Sequence, residues 1–244
     1  MLYAAHYRFN PPMFTFRQFA VDDSMTAMKV GTDGVLLGAW AAGGSRILDI
    51  GTGSGLIALI MAQRFPQALV TAIDIDADAC RQAEANAAAS PFGSRITVVN
   101  ASLQDFTATA VPQSFDAIVS NPPYFQNSLL SPDARRTAAR HTASLSYRDL
   151  MSGARRLLAD GGVMSVIGPA DAESDMEGEA IISGMSVAAT VAVSTRPGKR
   201  PSRFMARLVN GHATTYDHSD VILTAPDGRR SEWYHELTKE FYIR

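Results

Sequence analysis

The sequence predicts an α/β protein built on a doubly wound, mostly parallel sheet of seven strands, whose paired late strands include an antiparallel edge strand. Three observations carry that expectation. Short runs rich in Val and Ile alternate with helical stretches, as they do where a parallel sheet is covered on both faces. A glycine-rich segment, Asp49-Ile50-Gly51-Thr52-Gly53-Ser54-Gly55, follows the first such run and opens a helix. An acid, Asp74, ends the second run about 20 residues further on.

Taken in order, residues 46–50 read as the first strand, 55–64 as its helix and 69–74 as the second strand. Residues 76–89 form an alanine-rich helix stopped by Ser90-Pro91-Phe92-Gly93. Strands three and four are expected at 96–100 and 115–120. An amphipathic helix over 147–158 ends at Asp160-Gly161-Gly162, before a fifth strand at 163–168 and a helix over 173–185. Residues 187–194 and 204–210 read as the two final strands, joined by Arg196-Pro197-Gly198-Lys199-Arg200-Pro201, and 231–242 as a packed helix. The expectation is one domain over 1–244 with a short N-terminal extension at about 1–44.

Composition narrows the class. With 46 % apolar and 19 % charged residues the chain suits a globular protein with a sizeable core. No apolar run approaches the roughly 20 residues of a membrane span, and the start lacks the layout of a secretory signal. One cysteine, Cys80, excludes an intrachain disulfide and a multi-cysteine zinc site, so no metal is expected and a cytoplasmic location is the default. The net charge of -2 hides two cationic clusters. Arg135, Arg136, Arg140, Arg148, Arg155 and Arg156 form one; Arg196, Lys199, Arg200, Arg203 and Arg207 form the other, and together they hold half of the 22 Lys and Arg. Clusters flanking one site suit a polyanionic partner.

Glycine at alternate loop positions lets the backbone turn tightly and approach a ligand closely. Gly53, Gly55 and Ala58 also fit a dinucleotide fingerprint, with Asp74 as ribose-hydroxyl acceptor in either case. Asp49, before the first glycine, would repel a pyrophosphate but suits a ligand with a cationic sulfonium and ammonium. With the late strand pair, the chain here resembles a class I S-adenosylmethionine-dependent methyltransferase. The resemblance implies S-adenosylmethionine as cofactor, held by Asp49, Gly51, Gly53, Gly55 and Asp74. Such enzymes usually carry an acid beside the adenine after the third strand. Ser102 holds that position here, with Leu103 able to pack on the ring.

The fourth strand runs into Asn121-Pro122-Pro123-Tyr124 at the edge where open α/β sheets bind ligands. The prolines fix φ and remove two backbone donors, Asn121 offers an amide oxygen, and Tyr124 offers a flat face. Two acceptors and a stacking ring are what a planar amine requires. The segment resembles the motif of amino-methyltransferases acting on adenine N6, guanine N2 or a glutamine side chain. That implies that the Asn121 side chain and Pro122 carbonyl bind the amine, with Asn121 also at the cofactor, while Tyr124 stacks on the base. An earlier copy, Asn10-Pro11-Pro12-Met13, follows no strand, precedes the glycine loop and reads as a structural turn.

The residues ahead of the loop, Phe16-Arg17-Gln18-Phe19 and the stretch from Ala27 to Trp40, resemble the bacterial tRNA1(Val) adenine-N6 methyltransferases, which modify the adenine 3′ of the anticodon. The resemblance continues through Ser90-Pro91-Phe92 and the C-terminal segment from Ala225. It implies tRNA, at its anticodon loop, as partner and places Lys29, Thr32 and Asp33 at the cofactor cleft. RNA contacts are expected from Arg135, Arg136, Arg140, Arg196, Lys199, Arg200 and Arg203, with His141 a plain surface residue and the protein taken as a monomer. Alternatives are a glutamine N5-methyltransferase acting on a release factor, for whose extra helical domain the 45 residues before the first strand leave little room, and a ribosomal-RNA guanine-N2 enzyme. From another class, a non-catalytic cofactor- or RNA-binding protein would lose the need for a complete amine motif.

Overall fold

The computed structural model describes residues 13–122 and 145–243. A short hairpin of two-residue strands, β1 (Phe14–Thr15) with β2 (Ala20–Val21), leads to helix α1 (Thr32–Trp40). The main sheet follows from β3 (Arg46–Ile50), β4 (Leu69–Asp74), β5 (Ile96–Asn100) and β6 (Phe115–Ser120), with α2 (Leu56–Arg64), α3 (Ala77–Ala88) and α4 (Leu103–Thr109) between them. Helix α5 (Tyr147–Leu157) runs directly into β7 (Leu158–Pro169), and α6 (Glu173–Ile182) leads to β8 (Met185–Ser194). Strands β9 (Arg203–Asn210) and β10 (Asp217–Ile222) and helix α7 (Glu232–Thr238) complete the chain.

The sheet order is β10-β8-β9-β7-β6-β3-β4-β5, parallel throughout except that β9 runs against both β7 and β8. The doubly wound, mostly parallel sheet expected from the sequence is present, with two corrections. It has eight strands rather than seven, and its antiparallel strand lies inside the sheet rather than at the edge. The added strand, β10, reads Asp-His-Ser-Asp-Val-Ile and is largely exposed, so as a polar edge strand it carries no apolar run to reveal it. The expected stop at Asp160-Gly161-Gly162 is instead a bulge inside β7. The pairing with β6 jumps there from Phe115↔Leu158 to Ala117↔Val163, and Gly161 takes φ +72°.

Both faces of the sheet are covered. On one, Ile47, Val70 and Val119 pack with Leu36, Leu37, Leu59, Ile60 and Tyr234 from α1, α2 and α7. On the other, Leu48, Ile118 and Val166 pack with Leu150, Leu157 and Met176 from α5 and α6. Burial on both faces explains why β3, β4 and β6 read as continuous apolar runs. Arg207, expected as part of a phosphate-binding surface, is half buried instead: its guanidinium lies 4.2 Å over the Trp40 ring and donates to the Trp40 carbonyl. Among the described residues no helix is long and apolar enough to cross a membrane.

Candidate active site

The carboxyl ends of β3, β4 and β6 open on a cavity of about 1110 Å³. The loop after β3 forms one wall. Gly51 and Thr52 donate backbone N–H groups to the Ile73 carbonyl at 2.9 and 3.0 Å, which pins the loop to the end of β4. Gly51 and Gly53 take φ of +73° and +55°, and a Cβ on either would meet nothing within 4 Å, so their backbone faces open space. Glycine is required there by φ and not by crowding. Gly55, at φ +81°, is different: a Cβ there would lie 3.2 Å from Ala83 of α3, and the residue is off the cavity wall.

Asp74 joins the loop to the cavity. Its Oδ2 accepts from Gly53 N and its Oδ1 from Asp76 N, both at 2.9 Å, which fixes the carboxylate and leaves lone pairs for hydroxyl groups. Asp49 lies behind the loop, fully buried and off the cavity wall. Its Oδ2 accepts from Thr52 Oγ1 at 2.7 Å and Ala58 N at 3.1 Å, while Oδ1 has no partner. Burial pushes its pKa up from 3.8 to about 7, opposed by those two hydrogen bonds. A loop of open glycines facing a pocket with a fixed carboxylate suits a ligand that carries ribose hydroxyls.

The opposite wall is a strap, residues 22–31, stitched to α3 and to itself. Buried Asn86 donates to the Asp22 carbonyl at 2.7 Å and the Ser54 carbonyl at 2.8 Å and accepts from Asp22 N at 3.0 Å. Asp23 Oδ2 accepts from Val30 N at 2.7 Å, and Lys29 Nζ donates to the Asp23 carbonyl at 2.6 Å. Thr32 and Asp33 open α1 at the cavity, and Asp33 Oδ2 accepts from Arg203 Nε at 2.7 Å. Arg203, expected as a phosphate contact, is thus also a wall residue that ties β9 to α1.

Lys29, Thr32, Gly51, Gly53, Asp74, Ser102, Leu103 and Asn121 therefore meet around one cavity, whereas Asp49 and Gly55 support it from behind. Ser102 does so as a helix cap. Its hydroxyl accepts from Asp105 N at 3.0 Å and donates to Asp105 Oδ2 at 2.7 Å, and the Ser-x-x-Asp spacing that signals such a cap was legible in the sequence. Asn121 is buried, with Nδ2 3.5 Å from Met28 Sδ on the strap; Pro122 beside it is buried as well. Several wall residues were not named as site residues from the sequence, Ile75 and Met28 among them. Ile75 is half exposed just past Asp74, where position alone was the available signal, and Met28 reveals its contact only in three dimensions. Pro123, Tyr124, Arg135, Arg136, Arg140, His141 and Asn10-Pro11-Pro12 lie outside the described residues. Arg196, Lys199 and Arg200 sit exposed in the turn after β8, at the same edge of the sheet as the cavity. Among the described residues no cluster of His, Cys, Asp and Glu could hold a metal.

An open α/β sheet whose glycine loop, ribose-type acid and Asn-Pro segment share one cavity has the layout of a methyltransferase, and the family model for the methyltransferase small domain matches residues 24–189. A solved structure from Agrobacterium tumefaciens, described as a predicted O-methyltransferase, shares the fold with a TM-score of 0.66 at 20 % identity, over 86 % of this chain and 96 % of that one. Similarity in sequence is much closer to the tRNA1(Val) (adenine(37)-N6)-methyltransferases of Aeromonas hydrophila, 42 % identical over 95 % of this chain and 97 % of that one, and Phocaeicola vulgatus, 46 % over 95 % and 98 %. The chain belongs to the tRNA1(Val) (adenine(37)-N6)-methyltransferase family.

Proposed function

We propose that the protein transfers a methyl group from S-adenosylmethionine to the exocyclic N6 of adenine 37, next to the anticodon of tRNA1(Val), acting as a single methyltransferase domain. The reading rests above all on Asn121 sharing a cavity wall with the glycine loop and Asp74, in a chain whose relatives carry that activity in their names. S-adenosylmethionine supplies, when bound, a methyl group on a sulfonium that is electrophilic enough to need no metal. Gly51 and Gly53 give its chain close approach to the backbone, Asp74 accepts from its ribose hydroxyls, and Leu103 borders the adenine. Lys29 and Thr32 flank the remaining end.

The Asn121 amide oxygen and the Pro122 carbonyl accept the two N–H groups of the target amine, and Tyr124 stacks on its base. An exocyclic amine is a weak nucleophile because its lone pair is delocalised into the ring. Two acceptors hold it in line with the methyl group and favour the tetrahedral form that develops on attack, so these residues act by alignment and by stabilising positive charge. The proton leaves once that charge has formed, and no strong base is needed beforehand. Adenine 37 lies in a single-stranded loop, where leaving the stack costs little.

The test incubates the protein with methyl-labelled S-adenosylmethionine and unmodified tRNA1(Val), with a release factor in parallel, and digests labelled RNA to nucleosides. Label in N6-methyladenosine, with Asn121→Ala slowed by about 100-fold or more as for loss of a transition-state hydrogen-bonding group, supports the reading. Label in the release factor alone overturns it.

A further inference from the structure

The geometry points to the C-terminal turn at residues 225–230 as an RNA-binding arm that joins the β8–β9 turn in one cationic rim, with Arg229 as a phosphate contact. The inference rests on the proposed RNA substrate and extends it to a surface outside the cleft.

Strand direction places the two turns together. Strands β8 and β10 are parallel, so both end at the edge where the cavity opens, and β9 begins there with Arg203. The turns are then bonded to each other: Leu223 N donates to the Ser194 carbonyl and Thr224 N to the Thr195 carbonyl, both at 3.0 Å. Within the second turn Ala225 N donates to the Arg229 carbonyl at 2.8 Å and Gly228 takes φ +82°, so the arm is a built hairpin.

The charge on this rim is one-sided. Residues 195–203 carry Arg196, Lys199, Arg200 and Arg203 with no acid, in a chain whose net charge is -2. The second turn adds Arg229 and Arg230 against one acid, Asp227. Arg229 and Asp227 form an ion pair of 3.8 Å with side chains 87 % and 59 % exposed. A pair so exposed contributes little stability, and a phosphate can replace the carboxylate at small cost. Arg230 is held inward, its guanidinium 4.1 Å over the Tyr242 ring, which leaves Arg229 as the outward cation. Arg203, bonded to Asp33 on the cavity wall, is where the rim meets the cleft. An RNA whose target base occupies the cavity would run its flanking backbone along this edge, and phosphate contacts of this kind fix register without reading sequence.

The experiment measures KM for tRNA1(Val) against salt for the wild type, Arg229→Ala, Arg229→Lys and the triple variant Arg196→Ala, Lys199→Ala, Arg200→Ala. Each lost phosphate contact lowers the slope of log KM against log salt by about one. The expected result is a loss of about one for Arg229→Ala, recovery in Arg229→Lys, and a loss of about three for the triple variant. A wild-type slope in Arg229→Ala overturns the inference, as does an equal loss in Arg229→Lys, which would trace the effect to the turn and not the charge. A wild type that methylates no tRNA would instead overturn the proposed function.

Discussion

Replacing Asp49 by asparagine exchanges one oxygen for an NH₂ group and tests how the glycine loop is supported. Both hydrogen bonds to the side chain, from Thr52 Oγ1 and Ala58 N, fall on Oδ2. An asparagine can keep both by placing its amide oxygen there, with its NH₂ where Oδ1 now has no partner. The unpartnered NH₂ costs roughly 1–3 kcal/mol at every pH. The ionisation is what changes. The buried carboxyl titrates near 7 instead of 3.8, so it holds its proton more tightly folded than unfolded. Its contribution is fully present below pH 3.8, falls by ~1.4 kcal/mol per pH unit, and is lost once pH passes about 7, about 4 kcal/mol in all. Urea unfolding of cofactor-free protein from pH 5 to 8 should therefore show the wild type losing about 3 kcal/mol relative to Asp49→Asn. Parallel stability curves for the two proteins over that range would refute the reasoning and mean that the folded site keeps Asp49 ionised.

Gly38→Ala should destabilise the fold by about 1–2 kcal/mol in urea unfolding despite alanine's better helix propensity. Its Cβ would lie 2.9–3.1 Å from three atoms of Ile60, so a gain in stability would contradict the tight α1–α2 packing. Asn86→Ala removes two hydrogen bonds from α3 to the strap and one to the glycine loop and should cost about 2–3 kcal/mol while weakening S-adenosylmethionine binding in calorimetry. Unchanged affinity would separate the strap from the cofactor. A double-mutant cycle on Asp33→Asn and Arg203→Ala should give a coupling of about 1 kcal/mol, since the pair is short but partly exposed. Strict additivity would mean that the Asp33–Arg203 pair does not hold β9 to α1.

Legibility in the sequence tracked burial. Strands β3 to β6 match their expected bounds, because a parallel strand covered on both faces, or ended by a turn signal, is marked by its own residues. Strand β10 had no such mark: its pairing with β8 is set by backbone hydrogen bonds at an exposed edge. The site followed the same division. Glycine spacing and the Asn-Pro segment announced the loop and Asn121, but whether an acid faces the cavity or lies beneath it depends on neighbours distant in sequence. Asp49 turned out to lie beneath, Ser102 to cap α4, and Arg207 to stack on Trp40 across 167 residues.

The most direct test of the central claim compares methyl transfer to unmodified tRNA1(Val) with transfer to the same RNA carrying guanine at position 37. The account predicts stoichiometric label in the first and none in the second, because Asn121 and Pro122 would then lack an exocyclic N6 to hold. Equal labelling of both RNAs would contradict it and place the methylated atom elsewhere.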